Sequence, residues 1–188
     1  MKLRNTYFLL RHGEAMSNKY NFVSCWPEKT YNPLTIKGAN RIKCVARHLK
    51  KEKIDLIFSS DVLRTKQSAK IIAKKLGLKI KFEKKLRESK FGRFNGKSGK
   101  EWKRFLDTIR LRPPKKSHKE ENYQDVRKRA EKFIKGIDQE YKNKKILIIS
   151  HGAVLFSLDA ILKNIDWKKE RTYEKKLKFK NGELRKIT

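Results

Sequence analysis

Thr6-Tyr7-Phe8-Leu9-Leu10-Arg11-His12-Gly13-Glu14 is an apolar run of strand length that breaks off into an arginine, a histidine and a glycine. Bounded in this way by polar residues, it reads as a buried strand over Tyr7–Leu10 with a tight turn at its C-terminal end. The design recurs near the other end of the chain, where Ile146-Leu147-Ile148-Ile149 runs into Ser150-His151-Gly152-Ala153 ahead of a helix. A third run, Ile54–Phe58, ends in Ser59-Ser60-Asp61-Val62-Leu63-Arg64, and Leu78–Phe82 is a fourth. Helical spacing fills the gaps between these strands. Leu34-Thr35-Ile36-Lys37-Gly38 opens a helix that runs to about Lys51, with Ile42, Val45, Ala46 and Leu49 on one face. Asp61 or Ser60 is placed to cap another, in which Leu63, Ile71, Ile72 and Leu76 recur until Gly77 stops it.

Strands alternating with helices predict an α/β fold: a three-layer sandwich whose mostly parallel central sheet carries helices on both faces. At the C-terminus Leu177–Phe179, Asn181-Gly182 and Glu183–Ile187 predict an antiparallel hairpin on a two-residue turn. Residues 97–144 interrupt the alternation, with a helix around Trp102, Phe105, Leu106 and Ile109, a Pro113-Pro114 loop and a long helix over Val126–Tyr141. The expected organisation is one domain over 1–188 with a small lid insertion at about 89–125 and no internal repeat.

At 188 residues the chain is long enough to bury a core. Its 51 Lys and Arg against 20 Asp and Glu give a formal charge of +31, with a mean hydropathy of −0.83. Charge of that size suits a disordered or polyanion-binding chain. Leu, Ile, Val and Phe nevertheless make up about a quarter of the residues, above the roughly 20% expected of disorder. The balance is a folded domain with a basic surface. No apolar stretch reaches membrane length, and the first apolar run passes directly into Arg11-His12, unlike a signal peptide. Cys25 and Cys44 are too few and too far apart for a disulfide framework, which points to two reduced thiols in a soluble, cytoplasmic protein. Spread lysine reads first as solvated surface. No nucleic-acid-binding motif accompanies it, so the expected nucleic-acid affinity is non-specific and confined to low salt.

Parallel strands would bring the ends of the three runs to one edge, where open α/β sheets place their ligands. That edge would gather Arg11, His12, Arg64 and His151. Two histidines and two arginines are the composition of a pocket that binds a dianion and stabilises its transfer. A histidine on a glycine turn can present a neutral ring nitrogen to an electrophile while its other nitrogen donates to a backbone carbonyl.

Six ordered segments resemble the histidine phosphatases, the phosphoglycerate mutase-like superfamily. Leu9-Leu10-Arg11-His12-Gly13-Glu14 with Asn18 looks like the family signature, and Leu34-Thr35 with Gly38 matches the Leu-Thr-x-x-Gly that follows. Ser59 to Ala69 is similar to the second arginine segment, and Glu88-Ser89-Lys90-Phe91-Gly92 with Gly96 to the acid/base segment. Glu121-Asn122-Tyr123-Gln124-Asp125-Val126 with Arg129 resembles the start of the later helix, and Ser150-His151-Gly152 closes the set. The resemblance implies that His12 carries the phosphoryl group as phosphohistidine. Arg11, Arg64, His151 and Asn18, beside Gly152, would hold the phosphate oxygens. Glu88 would protonate the leaving oxygen and then activate water. It implies a small phosphorylated substrate, no metal and no cofactor.

Three departures bear on the substrate rather than on this core. Arg93-Phe94-Asn95-Gly96 replaces the usual aromatic and acidic pair, Arg41 stands where glutamine is common, and Glu120-Glu121-Asn122 replaces Gly-Glu-Ser. Glu14 and Glu121 are the other carboxylates that could approach the pocket, and Trp102, Arg104 and Phe105 are the candidates for selectivity. Two alternatives stand beside the phosphatase: a cofactor-dependent phosphoglycerate mutase, disfavoured by the short spacing from Glu88 to His151, and a basic polyanion-binding protein that keeps the fold.

Overall fold

The computed structural model describes residues 3–111, 120–166 and 178–187, the side chains of 106–111 excepted. In chain order the elements are β1 (Thr6–Arg11), α1 (Met16–Lys19), α2 (Ile36–Glu52), β2 (Leu56–Ser59), α3 (Leu63–Leu76), β3 (Ile80–Phe82), α4 (Gly99–Leu111), α5 (Tyr123–Glu140), β4 (Lys145–Ser150), α6 (Gly152–Leu162) and β5 (Leu184–Ile187). They form the expected α/β sandwich. The sheet runs in the order β3-β2-β4-β1-β5, parallel throughout except for β5, which lies antiparallel to β1.

Period-two alternation along the strands divides the core in two, because successive side chains leave opposite faces of a sheet. Tyr7, Leu9, Phe58, Ile146 and Ile148 pack beneath α5 and α6. Phe8, Leu10, Ile57, Leu147 and Ile149 pack beneath α2 and α3. Since β4 and β1 are buried on both faces, they read as unbroken apolar runs.

Two local expectations are corrected. Neither Asp61 nor Ser60 caps α3: the N-cap is Val62, which has no capping side chain, and Asp61 is drawn off into a pair with Arg87. The Leu63 N–H instead finds the carboxylate of Glu28 at 3.2 Å. At the C-terminus the turn forms at Asn181-Gly182 and the following strand is antiparallel, but its partner is β1. Residues 178–180 are not a strand, and Leu177 lies outside the described residues, as does Pro113-Pro114. Helix α1, a single turn, went unread.

Candidate active site

Neighbouring β1 and β4 end in register at Arg11 and Ser150, and their chains then leave to opposite layers, β1 toward α2 and β4 into α6. Adjacent parallel strands that diverge in this way open a crevice at their C-terminal edge. His12 and His151 are the first residues past the two strands; both are buried, with ring centroids 5.2 Å apart.

The ring of His12 is held from both sides. Its Nδ1–H donates to the Gly13 carbonyl at 2.7 Å, which leaves Nε2 with a lone pair, and Nε of Arg64 donates to that nitrogen at 3.2 Å. Burial, and then the charges of Arg64 and Arg11, hold the His12 pKa well below the usual imidazole value. The ring is therefore neutral at physiological pH, as the sequence leads one to expect of a nucleophile.

The Leu-Thr-x-x-Gly segment fixes the loop beneath this ring. Thr35 caps α2 by accepting from the Gly38 N–H at 3.0 Å, while its own N–H and hydroxyl reach the Glu14 carbonyl and carboxylate. Gly13 and Gly38 meet face to face: a Cβ on Gly13 would lie 2.5 Å from the Gly38 oxygen, and one on Gly38 would fall on the Glu14 backbone. Only residues without side chains allow this approach.

Arg64 spends its other nitrogens on protein. Nη1 pairs with Glu28 at 3.2 Å and Nη2 donates to the Ser24 carbonyl at 3.0 Å. Arg11 donates through Nη1 to the Phe179 carbonyl at 2.7 Å, while its Nε is buried with no partner among the described residues. Burial lowers the pKa of both guanidiniums, an effect that the charge of Glu88 opposes in each.

Nε2 of His151 lies 3.1 Å from the Ser60 hydroxyl, whose oxygen already accepts the Val62 N–H at 3.4 Å. Giving the hydroxyl proton to Nε2 satisfies both groups and assigns the ring proton to Nδ1. That nitrogen, like Arg11 Nε, is buried and unpartnered among the described residues. Burial first, then Arg64, His12 and Arg11, depresses the pKa of this imidazole as well.

The three candidate carboxylates part company. Glu14 is bound to Thr35 and Lys37, and Glu121 forms a two-point pair with Arg129. Glu88 makes no ion pair among the described residues; one carboxylate oxygen accepts the Ser89 N–H at 2.9 Å, and its charge reaches Arg11 and Arg64. Asn18 is exposed, its carbonyl oxygen taken by the Ala15 N–H and the Asn181 amide. Gly152 opens α6, and a Cβ there would lie 3.7 Å from the Arg11 guanidinium carbon.

Three contributors escaped the sequence reading. Glu28 pairs with Arg64 across 36 positions, and Ser60 supports His151 across 91. Gly182 donates its N–H to the carbonyls of Arg11 and His12 at 3.2 and 3.0 Å. Such contacts carry no spacing signal. At the rim, half-exposed Trp26 stacks on Arg87 at 4.4 Å, whereas Trp102 and Phe105 are packed with Phe91 and Phe94.

Buried Arg64, half-buried Arg11, two neutral imidazoles and buried donors without a partner among the described residues form a site that a tetrahedral oxyanion would satisfy, since an unmet buried donor is costly and an anion repays it. The model of the histidine phosphatase superfamily (branch 1) matches residues 7–187. A relative from Hydrogenobacter thermophilus named "Putative phosphoserine phosphatase 2" is 28% identical over 166 residues, 84% of this chain and 78% of that one. One from Escherichia coli named "Probable phosphoglycerate mutase GpmB" is 29% identical over 157 residues, 79% of this chain and 70% of that one. The crystal structure of a phosphoserine phosphatase from Entamoeba histolytica with 3-phosphoglyceric acid superposes with a TM-score of 0.77 at 22% identity, covering 97% of this chain and 89% of that one. At that identity the likeness is one of fold.

Proposed function

Because the chain belongs to branch 1 of the histidine phosphatase superfamily, we propose that it hydrolyses small phosphomonoesters through a phosphohistidine on His12, with Glu88 as proton donor. The observation that carries this reading is the lone pair on Nε2 of a buried, neutral His12, held by the Arg64 Nε–H at 3.2 Å, in a site where Arg11 Nε and His151 Nδ1 have no partner among the described residues. A phosphate oxygen replaces His12 as acceptor for the Arg64 N–H, which frees Nε2 for phosphorus. Nε2 then forms the N–P bond as the ester P–O bond breaks, and the Glu88 proton passes to the leaving oxygen. Arg11, Arg64 and the Nδ1–H of His151 bind the equatorial oxygens, where charge is spread in the transition state. Asn18 contributes from the open side through its amide N–H. In the second half water attacks phosphorus, gives its proton to Glu88 and displaces Nε2. No step calls for a metal or a cofactor.

The test is phosphate release from p-nitrophenyl phosphate and a panel of small phosphomonoesters in EDTA. Turnover that His12→Ala abolishes, with a base-stable, acid-labile phosphoenzyme in the wild type, is the expected result. Full activity in His12→Ala overturns it. Glu88→Gln separates the proton donor: alkyl phosphates, whose leaving groups need a proton, should slow far more than p-nitrophenyl phosphate.

The relative named as a mutase supports a second reading, in which the phosphoryl group returns to substrate. Phosphoglycerate interconversion primed by a bisphosphoglycerate, outpacing hydrolysis, would establish it.

A further inference from the structure

The charge of +31 is not absorbed by a phosphate pocket with two arginines. The two helix layers share it unequally. The α5 and α6 layer is close to balance: α5 carries Arg127, Lys128, Arg129, Lys132 and Lys135 against Asp125, Glu131 and Glu140, while its Asp138 and the Asp159 of α6 are buried. The opposite layer is not. Helix α2 exposes Lys37, Arg41, Lys43, Arg47, Lys50 and Lys51, with Glu52 as its single acid. Helix α3 exposes Lys70, Lys74 and Lys75 and contains no acid at all. The two helices pack side by side over one half of the core, so these cations form one continuous surface.

We propose that the α2 and α3 layer is a docking face for duplex nucleic acid, engaged through its phosphodiester backbone. Helix α2, at 17 residues, spans roughly 25 Å, a length over which a duplex presents many phosphates to rows such as Lys43, Arg47 and Lys50. Among the described residues, the large apolar side chains exposed to solvent are Tyr20, Trp26, Tyr31, Ile36 and Phe82, of which only Ile36, at the first position of α2, belongs to this face. Beside Ile36 the face offers only the isolated ring of His48, and Phe82 at its edge lies under Lys66, so it has no row of aromatic side chains on which successive unpaired bases could stack, which disfavours single strands. With no apolar ridge to insert, it also lacks what an interfacial membrane helix uses besides charge. Binding of this kind is independent of sequence but specific to one side of the protein.

The test uses the full chain and a fluorescein-labelled DNA duplex of about 20 base pairs, with anisotropy read from about 0.05 to 0.5 M KCl. At about 0.15 M salt the wild type should bind with a Kd near 10⁻⁶ M, at the tight end of backbone-only binding. Lys43→Gln, Arg47→Gln and Lys70→Gln together should weaken binding at least tenfold and lower the salt slope by about 2 to 3. The matched triple on the other layer, Lys128→Gln, Lys132→Gln and Lys135→Gln, should change affinity by less than about threefold, and circular dichroism checks that both fold. Equal losses from the two triples would show an undirected field and overturn the proposal. So would a Kd weaker than about 10⁻⁴ M at 0.15 M salt, or tighter binding to phosphatidylserine vesicles than to the duplex.

Discussion

The two His-Gly strand ends look alike in sequence, yet their surroundings occupy opposite nitrogens of the two rings. At the end of β1, His12 sits on a loop locked by the Gly13–Gly38 contact, its Nδ1–H spent on the Gly13 carbonyl and its Nε2 lone pair turned toward the guanidinium of Arg64. At the end of β4, His151 is the N-cap of α6, its Nε2 takes the Ser60 proton and its Nδ1–H is left over. One ring offers an electron pair and the other a proton. The difference arises from which nitrogen the surroundings occupy, not from the residue or its burial. Both rings are buried and both are held neutral.

The sharpest way to break this comparison is to remove each ring in turn. His12→Ala should lower kcat by at least about 10³-fold and abolish the trapped phosphoenzyme. His151→Ala should cost about 10²-fold yet still accumulate phosphoenzyme, since only a donor to the transferring group is lost. If both variants lose the intermediate alike, the division of roles is wrong. The supports come next. Glu28→Ala frees the buried Arg64 that faces His12 and should reduce kcat/KM by about tenfold or more, with Glu28→Gln restoring part of it. Ser60→Ala leaves the His151 proton free to sit on either nitrogen and should cost up to about tenfold, chiefly in kcat.

The smallest effect is on stability, and here the two histidines should behave as equals. Their folded pKa values lie below the ordinary value near 6.5, so below about pH 6.5 the unfolded chain takes up protons that the folded one refuses. Stability is then fully present above that pH and falls as the solution is acidified, by up to about 1.4 kcal/mol per pH unit for each ring. Urea titrations from pH 7.5 to 5 would show it, and His12→Asn or His151→Asn should each remove one proton from the slope.

Much of this was legible because apolar strands and glycine turns have local signatures. The strand runs, the helix from Thr35, the stop at Gly77 and the gathering of Arg11, His12, Arg64 and His151 all follow from pattern and from parallel strands sharing an edge. The Glu121 to Arg129 motif even explains itself once folded: Asn122 caps α5, Asp125 completes a capping box and Glu121 holds Arg129. What the sequence could not convey were pairings of single residues far apart in the chain. Glu28 in a loop, Ser60 opposite a distant histidine and the choice of β1 as partner for β5 depend on tertiary geometry alone. The same holds for the charge, which composition counts but does not distribute among faces.

The backbone N–H of Gly182 bonds to the carbonyls of Arg11 and His12. During synthesis, then, the loop that begins the site waits for a residue made long after it. Until β4 emerges from the ribosome the strand before His12 has two naked edges, until β5 follows it still has one, and until Gly182 is made the turn after it lacks two of its hydrogen bonds. A nascent chain can collapse around its early helices, but it carries an unfinished site and an exposed β-edge, the period when a chaperone has most to offer.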